Sequence, residues 1–82
     1  MQLNNRIVAI TGAGRGLGRG MAVEIARKGA RIAAIDMNAD DLAETARLVK
    51  DAGSECRTFV ANVAKEEEVV KTFDAIVAAY GA

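Results

Sequence analysis

The stretch Thr11-Gly12-Ala13-Gly14-Arg15-Gly16-Leu17-Gly18 constrains this chain more than any other, because four glycines in eight positions need a structural reason. It follows the branched run Ile7-Val8-Ala9-Ile10, which reads as a buried strand, and precedes a Leu17, Met21, Ile25 spacing that reads as a helix. Strand, glycine-rich turn and helix together let backbone N–H groups at a helix amino end meet a phosphate with no side chain between them. By position, Gly12 allows the tight turn out of the strand, Gly16 lets backbone approach the anion, and Gly18 lets the helix pack closely on the sheet. The spacing is T-G-x-x-x-G-x-G. The pattern G-x-G-x-x-G fails, since its last position holds Leu17 counted from Gly12 and Arg19 counted from Gly14. No Gly-Lys-Ser/Thr follows, which excludes a P-loop. A flexible loop without a ligand is the alternative, and the flanking strand and helix weigh against it.

Taken in order, the chain predicts strand–helix units repeated three times. The first strand, residues 6–11, is apolar throughout, as a mid-sheet strand covered on both faces would be. A helix over residues 17–28 turns Met21, Ala22, Ile25 and Ala26 inward and stops at Gly29. The run Ile32-Ala33-Ala34-Ile35 ends at Asp36, and Asn38 can cap a helix over residues 39–52 with Leu42, Ala46 and Val49 as its inner stripe. The third run, Cys56-Arg57-Thr58-Phe59-Val60, leads through Ala61-Asn62-Val63-Ala64 to a helix over residues 65–80. That helix places Val69, Phe73, Ile76, Val77 and Tyr80 on one face, and Gly81 ends it. Right-handed crossovers then require a parallel sheet in the order third, second, first.

At Thr11, Gly12, Gly16 and Gly18 the sequence resembles the short-chain dehydrogenase/reductase family, whose coenzyme loop is T-G-x-x-x-G-x-G directly after the first strand. The resemblance continues through Asp36 and Asn62-Val63, covers Arg6 to Tyr80, and looks most like the opening of a 3-oxoacyl carrier-protein reductase or a related alcohol dehydrogenase. It implies an α/β fold: a three-layer Rossmann-type half-fold, βαβαβα, sheet order 3-2-1, truncated before the fourth strand, forming a single NAD-binding half-domain over residues 1–82. It also implies a dinucleotide held by Thr11, Gly12, Gly14, Arg15, Gly16, Leu17, Gly18, Asp36, Met37, Asn62 and Val63.

Asp36 falls at the end of the second strand, 20 residues past Gly16, where a carboxylate can accept from an adenosine ribose and repel a 2′-phosphate. That favours NAD. Arg15 argues for NADP, because a guanidinium in the glycine loop can pair with the same phosphate. Arg15 can swing away and Asp36 cannot, so NAD is the expected coenzyme and NADP the less favoured one. Asn62 stands where the family usually has an Asp beside adenine. Its carbonyl can accept from the adenine amino group and its NH₂ can donate to the ring, although a turn-forming role is the alternative.

Other features exclude functions. Eleven basic residues against 11 acidic ones leave no basic field for nucleic acid. There is no His, and Cys56 is the single cysteine, which rules out an internal disulfide and suits a reducing cytoplasm. Cys56 reads as a small apolar strand residue, and Glu66, Glu67 and Glu68 as a solvated first helical turn rather than a metal cluster. No apolar run approaches the ~20 residues of a membrane span, and the first residues lack a secretion signal's apolar stretch. In the family, hydride transfer relies on a Tyr-x-x-x-Lys pair with a preceding Ser. Tyr80 has no Lys four residues on, so the chain is expected to bind coenzyme without catalysing. An 82-residue unit with its first strand at a sheet edge is expected to be weakly stable and to self-associate, as a homodimer through the first strands or by exchange of the last helix. A self-associating structural fragment that does not use its coenzyme loop is the alternative function.

Overall fold

Six elements form, in the order β1 (Ile7–Thr11), α1 (Gly16–Arg27), β2 (Arg31–Asp36), α2 (Ala39–Asp51), β3 (Cys56–Val60) and α3 (Glu66–Tyr80). The structure is a computed structural model, described for residue 4 and residues 6–81; residues 1–3, 5 and 82 of the expected domain lie outside the described residues. β2 is central and pairs in parallel with β1 on one side and β3 on the other, Ala33 standing opposite Ala9 and Arg57. The expected topology is therefore present, and each helix boundary lies within one residue of its expected position.

β2 explains the layering. Ile32, Ala33, Ala34 and Ile35 are each at most 1% exposed, which a strand achieves only when both faces are covered. Ile32 and Ala34 pack with Ile10 against α1 and α2, through Ala22, Ala26, Leu42 and Val49. Ala33 and Ile35 face the other way, toward Ile76, Phe59 and Tyr80. Alanines on both β2 and α1 bring that helix close to the sheet, which sets the loop before it against the end of β2.

Caps fix two helix starts. Asn38 Oδ1 accepts the Asp41 N–H at 2.9 Å at the head of α2, a cap of the kind that contributes about 1 kcal/mol. At α3 no side chain of the described residues caps from Lys65, but Glu68 Oε1 in the first turn accepts the Asn62 N–H at 2.8 Å. Among the described residues no helix is long and apolar enough to cross a membrane.

As expected, β1 lies at the edge of the sheet despite its mid-sheet composition, with Ala9 exposed, because among the described residues it pairs only with β2. Two expectations need correction. Met21, expected inward, is 45% exposed on the same open side. On α3, Phe73 and Val77 were expected to face the sheet but are about half exposed; Thr72 and Ile76 are the buried positions. Tyr80 closes the end of that face: its hydroxyl donates to the Ile32 carbonyl at 2.8 Å, and Arg31 and Arg57 lie over its ring.

Candidate functional site

The glycine loop joins β1 to α1, and its glycines divide by the reason each is needed. Gly12 (φ 65°) and Gly16 (φ 56°) take left-handed backbone that L side chains resist, and a Cβ on either would meet nothing within 4 Å. Their outer faces are thus open. Gly18 is needed for space: a Cβ there would strike the Gly12 carbonyl oxygen and come within 2.7 Å of its carbon and 3.1 Å of Ala13 Cα. The expectation that Gly18 packs helix on sheet is corrected by this, since what it admits is the loop's own backbone. Gly14 is buried, and a Cβ on it would stand 2.8 Å from Asp36 Oδ2 and 2.9 Å from Asp41 Cβ.

α1 begins after Arg15 with no side-chain cap and no acidic residue in its first turn. The positive end of its dipole is left uncompensated beside the open faces of Gly12 and Gly16, an environment suited to an anion. Leu17, 80% exposed, projects from that turn.

Asp36 ends β2 against the same loop. Its Oδ2 accepts the Gly14 N–H at 2.9 Å, while Oδ1 accepts the Met37 N–H at 2.7 Å and the Asn38 N–H at 3.3 Å. The Gly14 N–H holds the carboxyl below the usual carboxylate range; desolvation opposes it, and the Asn38 and Met37 amides and the Arg15 charge reinforce it. An ionised carboxylate accepts about four hydrogen bonds, so Oδ2 retains capacity for a hydroxyl.

Sequence reasoning missed what ties the loop to α2. Thr45 is fully buried, and its hydroxyl donates to the Ala13 carbonyl at 2.7 Å while accepting from Arg19 Nε at 3.0 Å. Arg19 Nη2 also donates to the Asp41 carbonyl at 3.1 Å, and Arg15 Nε pairs with Asp41 Oδ2 at 3.1 Å. A signal existed: Thr45 shares a helical stripe with Leu42 and Val49, and a hydroxyl on an apolar stripe needs a partner.

Gly12, Asp36, Met37, Asn62 and Val63 come together around a cleft of about 180 Å³, with Ile35 and Ala61 at its base. Met37 and Val63 are exposed apolar walls. Thr11, Leu17 and Gly18 open instead onto an adjoining groove of about 350 Å³ along β1, and Gly12 lines both. Gly14 lies behind Asp36, and Arg15 is turned toward α2. Asn62 forms the turn after β3: its Oδ1 accepts the Ala64 N–H at 3.0 Å and its carbonyl the Lys65 N–H at 3.0 Å. Any base would share that Oδ1 with Ala64.

The remaining reactive groups are structural. Burial pushes the half-buried Cys56 thiol up to about 11, which suppresses the thiolate. Burial likewise raises the Tyr80 phenol. No group of three or more Cys, Asp or Glu among the described residues could hold a metal ion.

A parallel open sheet with a glycine turn after one strand and a carboxylate ending the next is the architecture of the doubly wound α/β proteins. The chain belongs to the short chain dehydrogenase family, whose model matches residues 6–82. It is 36% identical over 80 residues to trihydroxynaphthalene reductase PfmaI of Pestalotiopsis fici, covering 96% of this chain and 28% of the reductase. Among solved structures it is similar to NAD⁺-bound xylitol dehydrogenase, with TM-score 0.94, 34% identity, and coverage of 99% of this chain and 31% of the other. It is also similar to carveol dehydrogenase from Mycobacterium avium in complex with NAD, with TM-score 0.89, 35% identity, and coverage of 98% and 33%. The chain thus spans about a third or less of the length of these relatives.

Proposed function

We propose that this chain binds the adenosine and pyrophosphate parts of NAD(H), as the coenzyme-binding segment of an oxidoreductase that interconverts a secondary alcohol and a carbonyl. One observation carries the reading: the uncapped start of α1 and the ionised Asp36 flank a single loop and are joined through the Gly14 N–H. Main-chain amides of the loop other than those of Ala13 and Gly14, which are already bonded to the Ile35 carbonyl and to Asp36, take the pyrophosphate around Gly12, Gly16 and Leu17, with Thr11 and Gly18 shaping the turn. Asp36 takes a ribose hydroxyl, Met37 and Val63 flank the adenine, and Asn62 offers its polar edge. The coenzyme, when bound, supplies the hydride chemistry; the residues here hold and orient it.

NAD is favoured over NADP because a 2′-phosphate would meet a carboxylate that its amides keep charged. Among the solved neighbours the xylitol and carveol dehydrogenases are NAD complexes and a metagenomic short-chain oxidoreductase is an NADP complex, so the choice rests on Asp36. The substrate class is that shared by 3-oxoacyl carrier-protein reductases and alcohol dehydrogenases. These 82 residues hold no Tyr-x-x-x-Lys pair, so proton transfer is assigned to residues outside them, and by itself the chain is inactive. Self-association through the open edge of β1 or through α3, and a reducing cytoplasmic setting, belong to the same proposal. A purely structural fragment is not favoured, since the relatives are named as reductases and dehydrogenases.

Titrating the chain with NADH tests the reading. A saturable change in nicotinamide fluorescence, reversed by ADP, is expected, with weak affinity because adenosine and pyrophosphate carry the recognition. No response at millimolar NADH from a folded chain refutes it.

A further inference from the structure

Arg15 and Asp36 make opposite demands on the ribose of a bound dinucleotide, and the structure shows a third residue that arbitrates between them. Arg15 Nε lies 3.1 Å from Asp41 Oδ2, in the first turn of α2. Asp41 is well placed to hold it, because both of its main-chain groups are engaged: its N–H donates to Asn38 Oδ1 at 2.9 Å and its carbonyl accepts from Arg19 Nη2 at 3.1 Å. Its side chain is 27% exposed against 81% for Arg15, so the carboxylate is the better fixed partner. It also stands beside the ribose carboxylate, since a Cβ on Gly14 would touch Asp36 Oδ2 and Asp41 Cβ alike.

We infer that Asp41 is a specificity-determining residue: by holding Arg15 on α2 it keeps the loop's guanidinium from neutralising a 2′-phosphate beside Asp36. The inference rests on the dinucleotide reading above and adds a residue to it. Asp36 then discriminates against NADP while the loop's guanidinium is paired with Asp41 rather than with the phosphate. An ion pair this exposed is weak, so the change on removing it is roughly two- to fivefold.

The test is a cycle of variants of the 82-residue chain, wild type, Asp41→Asn, Arg15→Ala and the double variant, each titrated calorimetrically with NAD⁺ and with NADP⁺. Asp41→Asn is expected to lower the NAD⁺/NADP⁺ affinity ratio by about two- to fivefold, and the effect is expected to shrink by at least half in the Arg15→Ala background. Asp41→Glu, which keeps the carboxylate and guards against a folding defect in the Asn variant, is expected to hold the wild-type ratio. An unchanged ratio in Asp41→Asn overturns the inference, as does an equal change with and without Arg15, which would mean that Asp41 acts by its own charge. A wild-type chain that binds neither dinucleotide overturns the underlying reading as well, and is distinguishable because the failure appears before any substitution.

Discussion

Two glycines in α1, two residues apart, should respond to the same substitution with opposite signs. A methyl group on Gly18 would run into the Gly12 carbonyl, with Ala13 Cα 3.1 Å away, and these are backbone atoms that cannot rotate aside. Overpacking of this kind costs up to about 3 kcal/mol; alanine's better helix propensity returns about 1 kcal/mol, leaving Gly18→Ala destabilised by roughly 2 kcal/mol. Gly20 lies in the same helix, exposed, with nothing within 4 Å of its ideal Cβ. Only the propensity gain applies there, so Gly20→Ala is stabilised by roughly 1 kcal/mol. A small domain's total stability, about 0.05–0.15 kcal/mol per residue, makes these differences substantial. In urea, with a slope of about 1 kcal/mol per molar, the midpoint should fall by about 2 M for Gly18→Ala and rise by about 1 M for Gly20→Ala. Movement of both midpoints in the same direction would show that the loop yields to the helix, and would refute the close approach as the reason for Gly18.

Other perturbations follow from the same contacts. Thr45→Val keeps the volume but removes the hydroxyl between Ala13 and Arg19, and is expected to lower urea stability by about 1–3 kcal/mol, with Thr45→Ser losing less. The Asp36 carboxyl is depressed below its ordinary 3.8 in the folded chain, so its stabilisation is complete above the unfolded value and lost as pH falls through the folded one. Urea midpoints should therefore drop as pH falls through the ordinary carboxylate range and below it, with Glu44, depressed by Arg47, adding the same sign. Asp36→Asn should flatten that drop, and an identical pH profile in the variant would remove Asp36 from the account. The Cys56 thiol, raised to about 11 by burial, should react with an aromatic disulfide at pH ~8 at least about tenfold more slowly in the folded chain than in urea.

What was legible in the sequence was local. The two apolar periods mark every element, because a strand or helix records its own buried face along its own length. The proximity of Asp36 to the glycine loop was also readable, since parallel pairing of β1 and β2 brings both carboxyl ends to one edge. What escaped were bonds spanning distant positions: Arg19 and Ala13 meet Thr45 only when α1 and α2 pack side by side. Phe73 and Val77 were misassigned for a related reason. An apolar side chain declares that it avoids water but not which surface covers it, and α3 meets the sheet through Ile76 and Tyr80.

Three main-chain amides grip the Asp36 carboxylate from its own turn and from the neighbouring loop. A side chain locked into one rotamer at folding surrenders no torsional freedom when a diol arrives, a saving of about 0.5–1.5 kcal/mol over a mobile one. Because two of those amides belong to the turn after β2 and the third to Gly14, the aim of the carboxylate is inherited from the strand ladder. Any change that slackens the ladder or crowds position 14 would blur that aim, and under the proposed coenzyme reading would weaken the hold on a ribose without removing a single group that touches it.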